Sequence, residues 1–136
     1  MEVMFRRMVA VGCLLGAALF LLSCSGNASF NGCTTSIQID PNPASADHSL
    51  APPGNQVTFT GTYVREGDKC PQVATVIGDV DANWTTSDGV NTTIVNQKTS
   101  VGTNGLATCV HATPTPATIF ATNATGVQSK IDLTCK

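Results

Sequence analysis

Two groups of residues have types and spacings that could do chemistry. Asp79, Asp81 and Asn83 place oxygen ligands at alternate positions, as the opening of a calcium loop does. Such a loop also needs Gly at its sixth position and Glu at its twelfth, where this chain has Trp84 and Val90. The EF-hand ligand set therefore fails. A looser calcium site would use Asp79, Asp81 and Asp88, against the plainer reading of solvated turn and strand-edge carboxylates; no metal is expected. The second group is His48 and His111, in the loop-like stretches Ala-Asp-His-Ser and Val-His-Ala-Thr, where nothing orients either ring as a base. There is no GxSxG nucleophile elbow and no Gly-rich phosphate cradle. Beyond Glu2, Glu66 is the only glutamate, which argues against a paired-carboxylate glycosidase. Neither an enzyme nor a cofactor is expected.

The cysteines carry a clearer message. Six in 136 residues point to an oxidising compartment. No CxxC occurs, and neither histidine has ligand-like spacing to a cysteine, so structural disulfides are expected over a metal or redox site. Composition excludes further classes. A formal net charge of −2 gives no basic footprint for nucleic acid. A hydrophobic fraction of 42% with 12% charged residues is unlike a disordered chain, and the length suits one domain.

The N-terminus reads as an export signal. Arg6 and Arg7 precede Met8 to Leu22, 15 residues without a charge. A transmembrane helix needs about 20 apolar residues, so this run suits the h-region of a secretion signal. Leu21-Leu22-Ser23-Cys24 then resembles the lipobox of bacterial lipoproteins. The resemblance implies cleavage before Cys24 and acylation of that residue, which would hold the chain on a membrane almost permanently. Ser25 after the cysteine is similar to the outer-membrane sorting pattern. Expected divisions are a signal peptide over 1–23, a lipidated cysteine with a short tether over 24–35, and one folded domain over 36–136.

That domain must be built of strands. Apolar residues alternate with polar ones at Ile37 and Ile39, at Val57 to Tyr63, at Ala82 and Trp84, at Ala117 to Ala121, and at Val127 to Leu133. After Ser23 the chain holds 19 Thr and 10 Val but 3 Leu, a composition that suits a pleated surface. Pro41-Asn42-Pro43, Pro52-Pro53-Gly54, Ser87-Asp88-Gly89, Asn104-Gly105 and Pro114-Thr115-Pro116 read as turns. Two stacked sheets would bury the apolar faces, with Trp84 at the centre of the core. Four sequons, at Asn27, Asn83, Asn91 and Asn123, are read as chance in a chain rich in Asn and Thr.

The segments Ser36 to Ala44, Gly54 to Thr62, Ala82 to Asp88, Asn104 to Thr108 and Pro116 to Thr122, taken in order, resemble bacterial immunoglobulin-like domains of group 2. The resemblance covers most of 36–135. It implies an immunoglobulin-like β-sandwich and supplies no catalytic residue. In two respects the chain departs from the pattern: it has a single domain where tandem arrays are usual, and residues 65–80 are longer than the connection needs.

With Cys13 removed and Cys24 lipidated, Cys33, Cys70, Cys109 and Cys135 can pair in three ways. Strand directions in such a sandwich put Cys33 and Cys70 at one end and Cys109 and Cys135 at the other, so Cys33–Cys70 and Cys109–Cys135 are expected. Two features could bind a partner. Alternation turns Phe120 outward, and the insertion carries Val73, Val76, Ile77 and Val80. Against this, the insertion could fold over the sandwich and bury these groups together with Phe120. The expected protein is a non-catalytic, lipid-anchored component of the bacterial cell envelope, acting in adhesion, envelope organisation or as an accessory subunit of a surface complex. The alternatives are a carbohydrate-binding lipoprotein, disfavoured because Trp84 and Tyr63 both pattern inward, and a lipid-anchored hydrolase, disfavoured because no catalytic constellation is found. Expected partners are the membrane and an envelope protein or polysaccharide.

Overall fold

The computed structural model describes residues 29–30, 32–70 and 75–136. The signal segment and Cys24 lie outside them. Ten strands follow in order: β1 (Ser29–Phe30), β2 (Cys33–Asp40), β3 (Ala44–Ala46), β4 (Gln56–Glu66), β5 (Thr75–Asp79), β6 (Ala82–Thr86), β7 (Thr92–Lys98), β8 (Thr103–Cys109), β9 (Ala117–Asn123) and β10 (Gln128–Cys135). Among the described residues there is no helix.

The strands form two sheets. One has the order β1-β2-β4-β8-β7 with β5 added beside β4, and the other β3-β10-β9-β6. Counted along the chain, β2-β4-β8-β7 facing β10-β9-β6 is the ABED and GFC arrangement of an immunoglobulin sandwich. The fold is therefore an all-β, immunoglobulin-like sandwich. Its first strand is split: β2 pairs with β4 in one sheet, and after Pro41-Asn42-Pro43 the chain joins β10 in the other as β3.

The inner faces supply the core. Ile37, Ile39, Phe59, Val80, Ala82, Trp84, Ala107, Ile119, Ala121, Ile131 and Leu133 are all buried. Trp84 is 1% exposed and stacks on Phe59 with ring centroids 6.1 Å apart and an interplanar angle of 22°. Its indole Nε1 donates to the Thr103 carbonyl at 2.7 Å, which satisfies the one polar atom that the ring would otherwise bury unpaired. Gly105, the cross-strand partner of Phe59, also lies against the indole: an added Cβ there would lie 2.7 Å from indole Cγ.

Gly105 corrects one expectation. Asn104-Gly105 is not a turn but the second and third residues of β8. Glycine is needed there because the indole occupies the side-chain position, not because the chain reverses. The reversal between β7 and β8 falls at Thr99 to Gly102, where the Thr99 amide donates to the Gly102 carbonyl at 2.9 Å. A second difference lies at the entrance. The sheet already includes Ser29–Phe30 and begins its long strand at Cys33, so part of the expected 24–35 tether is hydrogen-bonded into the domain.

The two disulfides join Cys33 to Cys70 and Cys109 to Cys135. Strand directions place the first at the end where the chain enters and the second at the far end. The first ties the start of β2 to the turn following β4, its neighbour in the same sheet. The second crosses the core from β8 to β10 and so joins the sheets.

Candidate functional site

An immunoglobulin-type sandwich has two lateral sides, and in this chain they are closed differently. On one side the chain itself crosses between sheets, from β2 to β3. On the other, β6 and β7 are the last strands of their sheets; the chain crosses between the sheets only at the strand ends, through residues 80–81 and 87–91, and along the strands side chains span the gap.

The inward positions of β7 show how. Thr92 and Ile94 face the core, but the next two inward residues are Asn96 and Lys98, both exposed. The apolar face stops before the strand does, and the sheets part into a polar mouth. It is an open groove of about 520 Å³, lined by Asp81, Asn83, Asn96, Lys98, Thr103 and Thr122 among others. That volume falls within the range of small-ligand sites.

Each polar group in the mouth already holds part of the fold. The Asn96 carboxamide accepts from the Trp84 backbone N–H at 2.7 Å and donates to the Trp84 carbonyl at 3.3 Å and to Asn83 Oδ1 at 3.2 Å. Lys98 Nζ lies 2.5 Å from Asp81 Oδ1, which also accepts from the Thr103 hydroxyl. The Lys98 bond first, and the Thr103 bond second, hold the Asp81 carboxyl below its ordinary value of 3.8. Asn123 donates from Nδ2 to the Tyr63 hydroxyl at 2.8 Å, while its Oδ1 accepts the backbone amides of Thr125 and Val127. The one tyrosine is therefore tied to the mouth by its hydroxyl, and the one tryptophan is buried. Trp84 offers no exposed face for stacking a sugar.

The residues singled out by sequence are dispersed. Asp79 and Asp81 lie near the mouth, but Asp88 sits beyond the far end of β6, in the opposite loops. The three carboxylates are not brought together, and among the described residues no cluster of three His, Cys, Asp or Glu could hold a metal. Asp88 instead folds its own loop, accepting from Asn91 Nδ2 at 2.9 Å and from the Val90 and Asn91 amides, so its carboxyl is also lowered. His48 and His111 are both exposed, and the His48 ring bonds the Lys136 carbonyl at 2.5 Å.

Phe120 lies on the outer face of β9, half-buried, opposite Thr85 of β6 and Lys130 of β10. The insertion is not a simple cap. Thr75–Asp79 forms β5, which runs beside the upper half of β4 where β8 covers the lower half, with a bulge opposite Tyr63 and Val64. Val80 follows it into the core at 1% exposure. Val73 and the side chains of Val76 and Ile77 lie outside the described residues. Sequence reasoning missed Asn96 altogether. Its signal was a polar amide at an inward position of a strand otherwise following the alternation Thr92, Ile94.

The fold thus defines a sandwich of the immunoglobulin class, stapled at both ends and open to solvent at one polar mouth. No protein-family model, no curated protein and no solved structure matches the chain.

Proposed function

We propose that this chain is an exported bacterial lipoprotein, anchored through Cys24, whose single immunoglobulin-like domain of the group 2 type serves as a non-catalytic binding or scaffolding module of the cell envelope. Adhesion, envelope organisation and service as an accessory subunit all fit such a module. The observation that carries the reading is the order of parts. A basic n-region, 15 uncharged residues and Leu-Leu-Ser-Cys lead directly into a domain held by two disulfides. Disulfides of this kind persist in oxidising compartments, so the bridges and the leader agree on export. Support for a non-catalytic role comes from the exposed histidines in separate loops and from the mouth, whose polar groups are engaged in holding strands.

The deciding experiment is the intact, non-reduced mass of the protein extracted from native membranes. The expected species begins at Cys24, carries added acyl mass and lacks four hydrogens for two bridges. A lipid-free mass with cleavage elsewhere would overturn the anchored reading.

A further inference from the structure

The open side of β6 is a strand edge with one guard. Ser87, just past β6, donates its amide to the Thr118 carbonyl at 2.9 Å, toward β9. Backbone groups in an antiparallel ladder alternate in direction, so those of Asn83 and Thr85 face β9 as well, and those of Ala82, Trp84 and Thr86 face outward. At Trp84 both outward groups are taken by one side chain. The Asn96 carboxamide accepts from the N–H and donates to the C=O, as the peptide group of a neighbouring strand would.

Proteins protect such edges with charges, proline, bulges or covering elements, because an unpaired strand is a template for another chain. The β6 sequence Ala-Asn-Trp-Thr-Thr has no charge and no proline. The nearest charges, Asp81 and Lys98, neutralise one another across the mouth. What keeps the edge closed is Asn96.

We infer that β6 is a latent pairing surface for a second copy of this chain, kept shut by the Asn96 amide. The fit to a second copy follows from the strand itself. Two β6 strands set antiparallel about a two-fold axis at Trp84 would oppose Trp84 to Trp84 and Ala82 to Thr86, an isologous contact that meets no like charge along its length. The inference is independent of lipid anchoring, because it concerns only the folded domain.

Asn96→Ala in the whole chain, purified in detergent, tests it by native mass spectrometry and hydrogen exchange. The expected result is a doubled mass for the variant at a concentration where the parent is a single copy, with slowed exchange in the 82–86 segment. Adding Thr85→Lys, which places a charge on the edge strand, should return the single copy. Blue-shifted emission from buried Trp84 checks that the variant is folded; if it is not, Asn96→Gln, whose amide is displaced by one methylene, decides in the same way. A folded variant that stays single, or that associates without protecting residues 82–86, overturns the inference. So does association that survives Thr85→Lys.

Discussion

The two lateral sides of this sandwich close the same gap by different means, and the difference ranks what the fold can lose. On the β2/β3 side, main chain crosses between sheets, with Ile39 buried before the crossing and Ala44 after it. No single side chain there carries the join. On the β6/β7 side the chain crosses only at the strand ends, and along the strands the join is made of side chains: Asn96 on the Trp84 backbone, and Lys98 with Thr103 on Asp81. Substitutions should therefore be tolerated unequally. The fold should lose most at Trp84, then at the bridge that holds the sheets together, and only then at the mouth.

The largest effect is expected at Trp84. Trp84→Ala should cost about 3–5 kcal/mol in chemical denaturation, because it leaves a cavity beside Phe59, Gly61 and Gly105 and removes the bond to Thr103. Gly105→Val should fail for the converse reason: the β8 backbone is paired on both sides and the indole is held by its bond to Thr103, so neither can retreat from the added atoms. An unaltered midpoint in either variant would show that the indole is not the keystone of that side. Next come the bridges. Each closes a loop of similar length, and loop entropy alone gives about 3.5–4 kcal/mol apiece. The geometry predicts a split. Removing Cys109–Cys135 severs a link between sheets, whereas removing Cys33–Cys70 severs strands that a ladder already joins. Paired Cys→Ala variants compared by thermal unfolding should show the larger fall for the first. Equal losses would mean that the unfolded chain, not the native join, sets the effect.

How much of this was legible beforehand follows the same division. Strands β2, β4, β6, β9 and β10 could be read because two or more successive inward positions of each are apolar, so period-two alternation shows through. The disulfide pairing followed from strand direction alone, since that fixes which end each cysteine occupies. β7 was illegible because its inward face changes from Thr92 and Ile94 to Asn96 and Lys98 where the sheets part, and a pattern that breaks reads as a loop. β5 reads as part of a long connection, because its pairing with β4 depends on where β8 stops. Gly105 misled because Asn-Gly is a strong turn signal, and only the three-dimensional position of the indole explains a glycine inside β8. The sequence pattern reports faces that bury. It is silent where a polar side chain replaces a strand.

Smaller effects test the mouth directly. Loss of the Asn96 amide should cost about 1 kcal/mol, since the groups it leaves at Trp84 lie at an edge that water can reach. Asn96→Asp sharpens the point, because it keeps the acceptor for the Trp84 N–H while losing the donor to its carbonyl. Its cost should be smaller than that of Asn96→Ala, and a larger one would place the weight on the carbonyl side.

The smallest effect is the pH dependence of Asp81. Its folded carboxyl titrates below the ordinary 3.8, chiefly through the Lys98 bond and then through Thr103. A depressed value favours the charged form in the folded state, so its contribution to stability is full above the unfolded value and is lost as pH falls through the folded one. Asp88 and Asp47 are lowered too, by Asn91 and Ser49 respectively, so the parent chain should lose stability in acid through three sites at once. Asp81→Asn separates them. It should flatten one part of the acid limb below about pH 4 while leaving the neutral midpoint nearly unmoved, because the pair is exposed and well screened. Hydrogen exchange should place that part in the Lys98–Thr103 hairpin. If the acid limb is unchanged in Asp81→Asn but flattened in Asp88→Asn, the proton is taken up by the far loops and the mouth is held by Asn96 alone.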